Sequence, residues 1–105
     1  EREWALALPP LGYTLWAVLP GLGEAELLRI AVDPAQRRRG LGRRLLLASE
    51  PLLQEDGVHT LLLEVRVGNP AARTLYDALG WCQDGYRKGY YRDGEDAVLY
   101  RKKLE

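Results

Sequence analysis

Residues 30–45 constrain this chain more than any other stretch. Ile30-Ala31-Val32 is strand-like, and Asp33-Pro34 breaks the strand. Arg37-Arg38-Arg39-Gly40-Leu41-Gly42-Arg43 then leads into a leucine-rich helical pattern. A glycine-rich turn that opens a helix leaves backbone N–H groups without intrahelical acceptors, at the positive end of the helix dipole. Such a turn suits a phosphate ligand. It is not a P-loop, because no Gly-Lys-Ser/Thr closes it. It is a poor dinucleotide fingerprint, because Leu45 stands where a third glycine is needed. On spacing alone, a glycine-rich helix start beside a solvated basic patch is the open alternative.

The flanking segments supply a sheet and a second helix. Residues 3–8, 12–19 and 24–32 read as three antiparallel strands, separated by Pro9-Pro10 and by Pro20-Gly21 with Gly23. Residues 41–56 read as a helix that buries Leu41, Leu45, Leu46, Ala48, Leu52 and Leu53. Pro51 is expected to kink or shorten it, and Gly57 to stop it. Residues 59–67 have the near-continuous apolar character of a central strand covered on both faces. Asn69-Pro70 pairs an N-cap with a proline at the first helical position. The helix from 70 to about 79 is expected to bury Ala72, Leu75 and Leu79, with Gly80 closing it. Residues 81–87 and 96–103 read as a final antiparallel pair, joined by a polar segment that carries Tyr90 and Tyr91. Trp4, Trp16 and Trp81 read as core or sheet-face residues. The strand–helix–strand unit in the middle requires a parallel pair. The predicted class is therefore α/β: one domain over residues 1–105, with a mixed, mostly antiparallel sheet and two main helices.

Composition removes several function classes. Fifteen basic and fifteen acidic residues cancel, which argues against a general binder of nucleic acid or anionic membrane. The apolar runs are too short to span a bilayer, and no signal peptide is visible. Cys82 stands alone, so it offers no internal disulfide or metal cluster and fits a reducing, cytoplasmic setting. No metal is expected. Cys82 and His59 lack triad partners at recognisable spacing and read as structural. Glu64 is different, because a carboxylate inside an apolar strand needs a partner or a task. It is either salt-bridged to Arg66 on the same strand face or a general base.

The run Arg37-Arg38-Arg39-Gly40-Leu41-Gly42 resembles the Arg/Gln-x-x-Gly-x-Gly/Ala motif of the GNAT family of N-acetyltransferases. Leu63-Glu64-Val65-Arg66, Asn69, Ala71-Ala72, Leu75-Tyr76 and Leu79-Gly80 follow in the order that family shows. Arg87-Lys88-Gly89-Tyr90-Tyr91 and Glu95-Asp96-Ala97 are similar to its ribosomal-protein-alanine N-acetyltransferase subgroup. The resemblance covers residues 28–100 and implies an acyl-CoA N-acyltransferase fold with acetyl-CoA as the donor.

The resemblance also implies roles for particular residues. The loop Arg37, Arg38, Arg39, Gly40, Leu41, Gly42 and Arg43 would hold the pyrophosphate. Ile30, Ala31 and Val32 would splay from the strand of Glu64 and bind the pantetheine arm. Asn69 would touch the cofactor, act as an N-cap, or both. Glu64 would be the base and Tyr76 the acid that protonates the departing thiolate; Tyr76 otherwise reads as a core residue with its hydroxyl at the edge. Tyr90 and Tyr91 would meet the first residues of an acceptor peptide, or be ordinary strand-end aromatics. The implied reaction is direct acetyl transfer to a protein N-terminal α-amine, such as a ribosomal-protein alanine. The alternatives are a lysine or small-amine acceptor, or a module that binds acetyl-CoA without catalysis. A direct nucleic-acid role for the basic run is disfavoured, since no aromatic platform accompanies it. The family usually places a first strand and two helices ahead of the hairpin. Residues 1–105 start too late to supply them, so the acceptor-side wall is expected to be short.

Overall fold

The computed structural model describes residues 2–8, 11–36 and 40–105. Among the described residues, six strands form one sheet: β1 (Arg2–Leu8), β2 (Gly12–Leu19), β3 (Glu24–Val32), β4 (Thr60–Arg66), β5 (Cys82–Arg87) and β6 (Ala97–Lys103). Their spatial order is β1-β2-β3-β4-β6-β5. β3 and β4 run parallel, and every other neighbouring pair is antiparallel. The crossover between the parallel strands contains helix α1 (Leu41–Glu55), and helix α2 (Pro70–Ala78) connects β4 to β5.

Both helices pack on one face of the sheet. Leu46 and Leu53 of α1 and Tyr76 of α2 meet Trp16, Val18, Leu61, Leu63, Val98 and Tyr100 in a single apolar cluster. Each fully buried leucine there contributes about 1.5–3 kcal/mol of transfer free energy. Trp16 and Trp81 lie inside this cluster, and Trp4 packs at its margin. The two helices end alike. Gly57 (φ 86°) and Gly80 (φ 88°) take left-handed backbone. Val58 N–H then donates to Leu53 C=O, and Trp81 N–H to Tyr76 C=O, both at 3.0 Å. With the bonds from Gly57 to Gln54 and from Gly80 to Asp77, these are two Schellman motifs.

Three features bear directly on the sequence expectations. The buried stripe of α1 is Leu41, Leu45, Leu46, Ser49 and Leu53, while Ala48 and Leu52 face solvent. The helical period takes the stripe through a serine. Its hydroxyl is satisfied by Leu45 C=O at 2.8 Å and by Thr14 Oγ1 at 3.0 Å, so its burial carries no unpaired polar atom. Secondly, α1 runs through Pro51 to Glu55, close to the expected bounds, and Pro51 lies on its exposed side. Thirdly, β4 is not covered equally on both faces. Leu61, Leu63 and Val65 are buried against the helices, whereas the row of Leu62, Glu64 and Arg66 is only half-buried.

Candidate active site

The loop before α1 carries the geometry its glycines require. Gly40 is the N-cap in left-handed conformation (φ 72°, ψ 16°), and among the described residues no side chain caps the helix. The first N–H groups of α1 therefore lack intrahelical acceptors. Arg37, Arg38 and Arg39 lie outside the described residues. The remaining loop residues, Gly40, Leu41, Gly42 and Arg43, line a cavity of about 660 Å³ together with Ile30, Ala31 and Val32 of β3. Its far wall is Ala71, Ala72 and Leu75 of α2. A Cβ built on Gly42 would stand 3.7 Å from Ile30 and 3.9 Å from both Leu75 and Val32. All three line the cavity, so the missing side chain at Gly42 keeps its floor open. These residues fit a long, phosphate-ended ligand with an apolar arm.

The cavity continues into the sheet because β3 and β4 part. They pair only at residues 24–26 with 60–62. Leu28 is bulged out of the β2–β3 register, which jumps from Leu15↔Arg29 to Trp16↔Leu27. A bulge bends its strand, and this one lies where β3 leaves β4. A second cleft of about 250 Å³ opens there, lined by Leu27, Leu28, Arg29, Ile30, Leu63, Glu64 and Tyr76. Arg29 and Ile30 line both spaces. Tyr76 comes to this cleft from α2, and Glu64 from the half-buried face of β4.

The side chains around this cleft are mutually polarised. Tyr76 is 5% exposed, and burial, aided by Tyr91, pushes its hydroxyl up to about 12. Glu64 pairs with Arg87 of β5 at 3.4 Å, not with Arg66 as its strand face suggests. Arg66 turns instead to Asp93 at 2.8 Å and Glu95 at 2.9 Å. Hydrogen bonding towards the Glu64 carboxylate, together with its charge, holds the Tyr90 phenol above its ordinary range. Tyr90 and Tyr91 meet edge to face, with ring centroids 5.1 Å apart. The structure thus brings Glu64 and Tyr76 together on one cleft, with Tyr90 and Tyr91 close enough to feel the Glu64 charge but not lining it. Asn69 lies apart, as the N-cap of α2, its side chain accepting Ala72 N–H at 3.2 Å. Its contact with a cofactor stays an expectation.

Residues 8–81 match the model of the acetyltransferase (GNAT) family. The chain belongs to that family. It is 49% identical over 81 residues to the [ribosomal protein bS18]-alanine N-acetyltransferase of Escherichia coli K12, covering 74% of this chain and 55% of that protein. The crystal structure of the ribosomal-protein-S18-alanine N-acetyltransferase from Escherichia coli superposes with a TM-score of 0.85 at 39% identity. That match covers all of this chain and 71% of the other. Ard1 from Thermoplasma volcanium matches 90% of this chain and 64% of its own, with a TM-score of 0.83 at 28% identity. The chain therefore spans a little over half the length of the curated relative it matches. The mixed six-stranded sheet with two helices is the GNAT fold.

His59 and Cys82 take no part in the cleft. His59 N–H donates to Gly23 C=O at 2.8 Å, and its Nδ1 lies 3.0 Å from Thr60 Oγ1. Cys82 is a free, exposed thiol. No group of three or more potential metal ligands occurs among the described residues, and no described helix is long and apolar enough to cross a membrane. Sequence reading took Ala72 and Leu75 as core, yet both are half-buried and form the cavity wall. The signal was present: positions 71, 72 and 75 share one helix face. The partners of Arg66 and Arg87 carry no comparable local signal.

Proposed function

We propose that this chain moves an acetyl group from acetyl-CoA to the α-amine of a protein N-terminus, and that the acceptor is a ribosomal-protein alanine. The observation that carries the reading is the convergence of Glu64 and Tyr76 on one cleft, at the end of a cavity opened by Gly40 and Gly42. Likeness to the Escherichia coli enzyme supports the acceptor, and a ribosomal-protein acceptor sets the reaction in the cytoplasm. Acetyl-CoA supplies an activated acyl thioester. The amides at the start of α1 bind its pyrophosphate, and the unpaired edge of β3 at Ile30, Ala31 and Val32 takes the pantetheine arm. Asn69 adds a polar contact at the start of α2.

Glu64 takes the proton that the amine must shed. An α-amine has an ordinary pKa of about 7.7–8.0, so much of it is protonated at neutral pH. The free amine attacks the thioester carbonyl, the C–S bond breaks, and Tyr76 gives its proton to the departing sulfur. A phenol near 12 is a reluctant donor to a thiolate whose conjugate acid is ordinarily near 8.5. The burial that raises the phenol also destabilises a thiolate in the same cleft, which narrows that gap. Tyr90 and Tyr91, beside Glu64, hold the first residues of the acceptor.

The test is transfer of labelled acetyl from acetyl-CoA to a panel of peptides beginning with different residues, alongside a lysine-bearing peptide with a blocked N-terminus. Label on free N-termini, strongest with alanine first, is the expected result. Acetyl-CoA binding without transfer to any peptide would replace this reading by a binding module. Label on lysine alone would move the acceptor to a side chain.

A further inference from the structure

The segment that carries Tyr90 and Tyr91 is unusually well tied for an exposed connection, and the ties converge on one side chain of β4. Arg66 donates to Asp93 Oδ2 at 2.8 Å and to Glu95 Oε1 at 2.9 Å. Its guanidinium also lies 4.0 Å from the centroid of the Tyr91 ring, a distance at which a cation is attracted to an aromatic face. Glu95 uses its second oxygen to accept Gly68 N–H at 2.8 Å. A Cβ at Gly68 would come within 2.5 Å of that oxygen, so glycine keeps this approach open. Within the segment, Tyr91 N–H donates to Glu95 C=O at 3.1 Å and Gly94 N–H to Tyr91 C=O at 2.8 Å. Arg66 is two residues from Glu64 on the same strand face. The tyrosine pair is therefore fixed relative to the proposed base through one short stretch of β4.

We propose that Arg66 and Glu95 are positioning residues, which clasp the tyrosine segment in the geometry that receives the acceptor and touch neither substrate. This rests on the acetyl-transfer reading above, in which Tyr90 and Tyr91 meet the acceptor. Arginine suits the task, because one terminal nitrogen reaches two carboxylates while the planar face of the guanidinium stacks on a ring. Lysine can do the first part as a point charge and not the second.

The clasp is tested with Arg66→Ala, Arg66→Lys, Glu95→Gln and the Arg66→Ala/Glu95→Gln pair. Two readouts are taken: steady-state kinetics with a peptide beginning with alanine, and amide hydrogen exchange of the protein alone. Arg66→Ala is expected to raise the KM for the peptide about tenfold or more, since small misplacement of a binding group is costly. The KM for acetyl-CoA should stay within about twofold, and Arg66→Lys should restore part of the loss. The double variant should cost little more than Arg66→Ala alone, the non-additivity of residues acting through one contact. Amides of Tyr91 and Gly94 should exchange faster, with those of α1 and α2 unchanged. Equal rises in both KM values, or loop amides that exchange as in the parent protein, would overturn the clasp. If the parent protein acetylates no peptide, the acetyl-transfer reading fails, and the exchange experiment still decides whether Arg66 and Glu95 hold the segment.

Discussion

Tyr76 joins the interior to the proposed reaction. Its ring packs 5.8 Å from Trp81 and 5.9 Å from Tyr100, while the residue lines the cleft with Glu64. Tyr76→Phe keeps the packing and removes one proton. Turnover should fall by about 10²-fold or more, with acetyl-CoA affinity unchanged, as expected when a general acid is lost and binding is not. Single-turnover kinetics and equilibrium binding check the two halves separately, and equal turnover would remove the acid role. The same proton has a stability consequence. The fold raises the hydroxyl from 10.0 to about 12 by burial, so the native state keeps a proton that the unfolded chain gives up. The stabilisation is complete below pH 10 and is lost as pH rises towards 12. Two pH units correspond to about 3 kcal/mol. Between pH 9 and 12 the parent protein should therefore lose about 2 kcal/mol more than Tyr76→Phe in urea unfolding, the rest following only above pH 12. Parallel pH curves for the two proteins would show that Tyr76 is not held neutral by the fold.

Among the elements, α1 shows a conflict between folding and binding at Gly42. Glycine in the first turn of a helix is a poor choice for stability, yet a Cβ at this position would project among Ile30, Val32 and Leu75 on the cavity floor. Its contacts of 3.7–3.9 Å are ordinary packing distances, so the fold accepts a methyl group. Gly42→Ala should raise thermal stability by about 0.5 kcal/mol and weaken acetyl-CoA binding about tenfold, or about 1.4 kcal/mol. Calorimetry of the free protein and of its ligand titration reads both signs. A variant that gains affinity would place the ligand elsewhere. What the sequence made legible belongs largely to this scale. The parallel β3–β4 pair follows from the strand–helix–strand order, and Gly57 and Gly80 marked the helix ends through purely local chemistry. The buried stripe of α1 was misread at Ala48 and Leu52, because Ser49 becomes a core residue only once Thr14 faces it across 35 positions of sequence. The family resemblance marked Glu64 and Tyr76 as candidate base and acid, but the partners around them could not be read. Arg66 reaches residues 27 and 29 positions away, and Glu64 meets Arg87 only because β6 lies between β4 and β5. Local periodicity carries neither fact.

For the molecule as a whole, the parted strands divide one sheet into two halves. β1, β2 and β3 lie on one side and β4, β6 and β5 on the other, joined by pairing at residues 24–26 with 60–62. The large cavity straddles this division, with β3 on one wall and α2, which follows β4, on the other. A ligand seated there contacts both halves and cannot bind the unfolded chain. Its binding free energy therefore adds to the stability of the whole fold. At a concentration about 100 times its Kd, CoA should contribute about 2.7 kcal/mol, which for a chain of 105 residues is an upward shift in Tm of roughly 10 °C or more. Protection from hydrogen exchange should appear at residues 29–32 and at the start of both helices, on the two sides of the division at once. Amides of the β5–β6 pair, remote from the cavity lining, should change least. Gly42→Ala should give a smaller Tm shift at the same CoA concentration. Protection confined to one half, or no shift in Tm with millimolar CoA, would mean that the gap between β3 and β4 is not filled by this ligand.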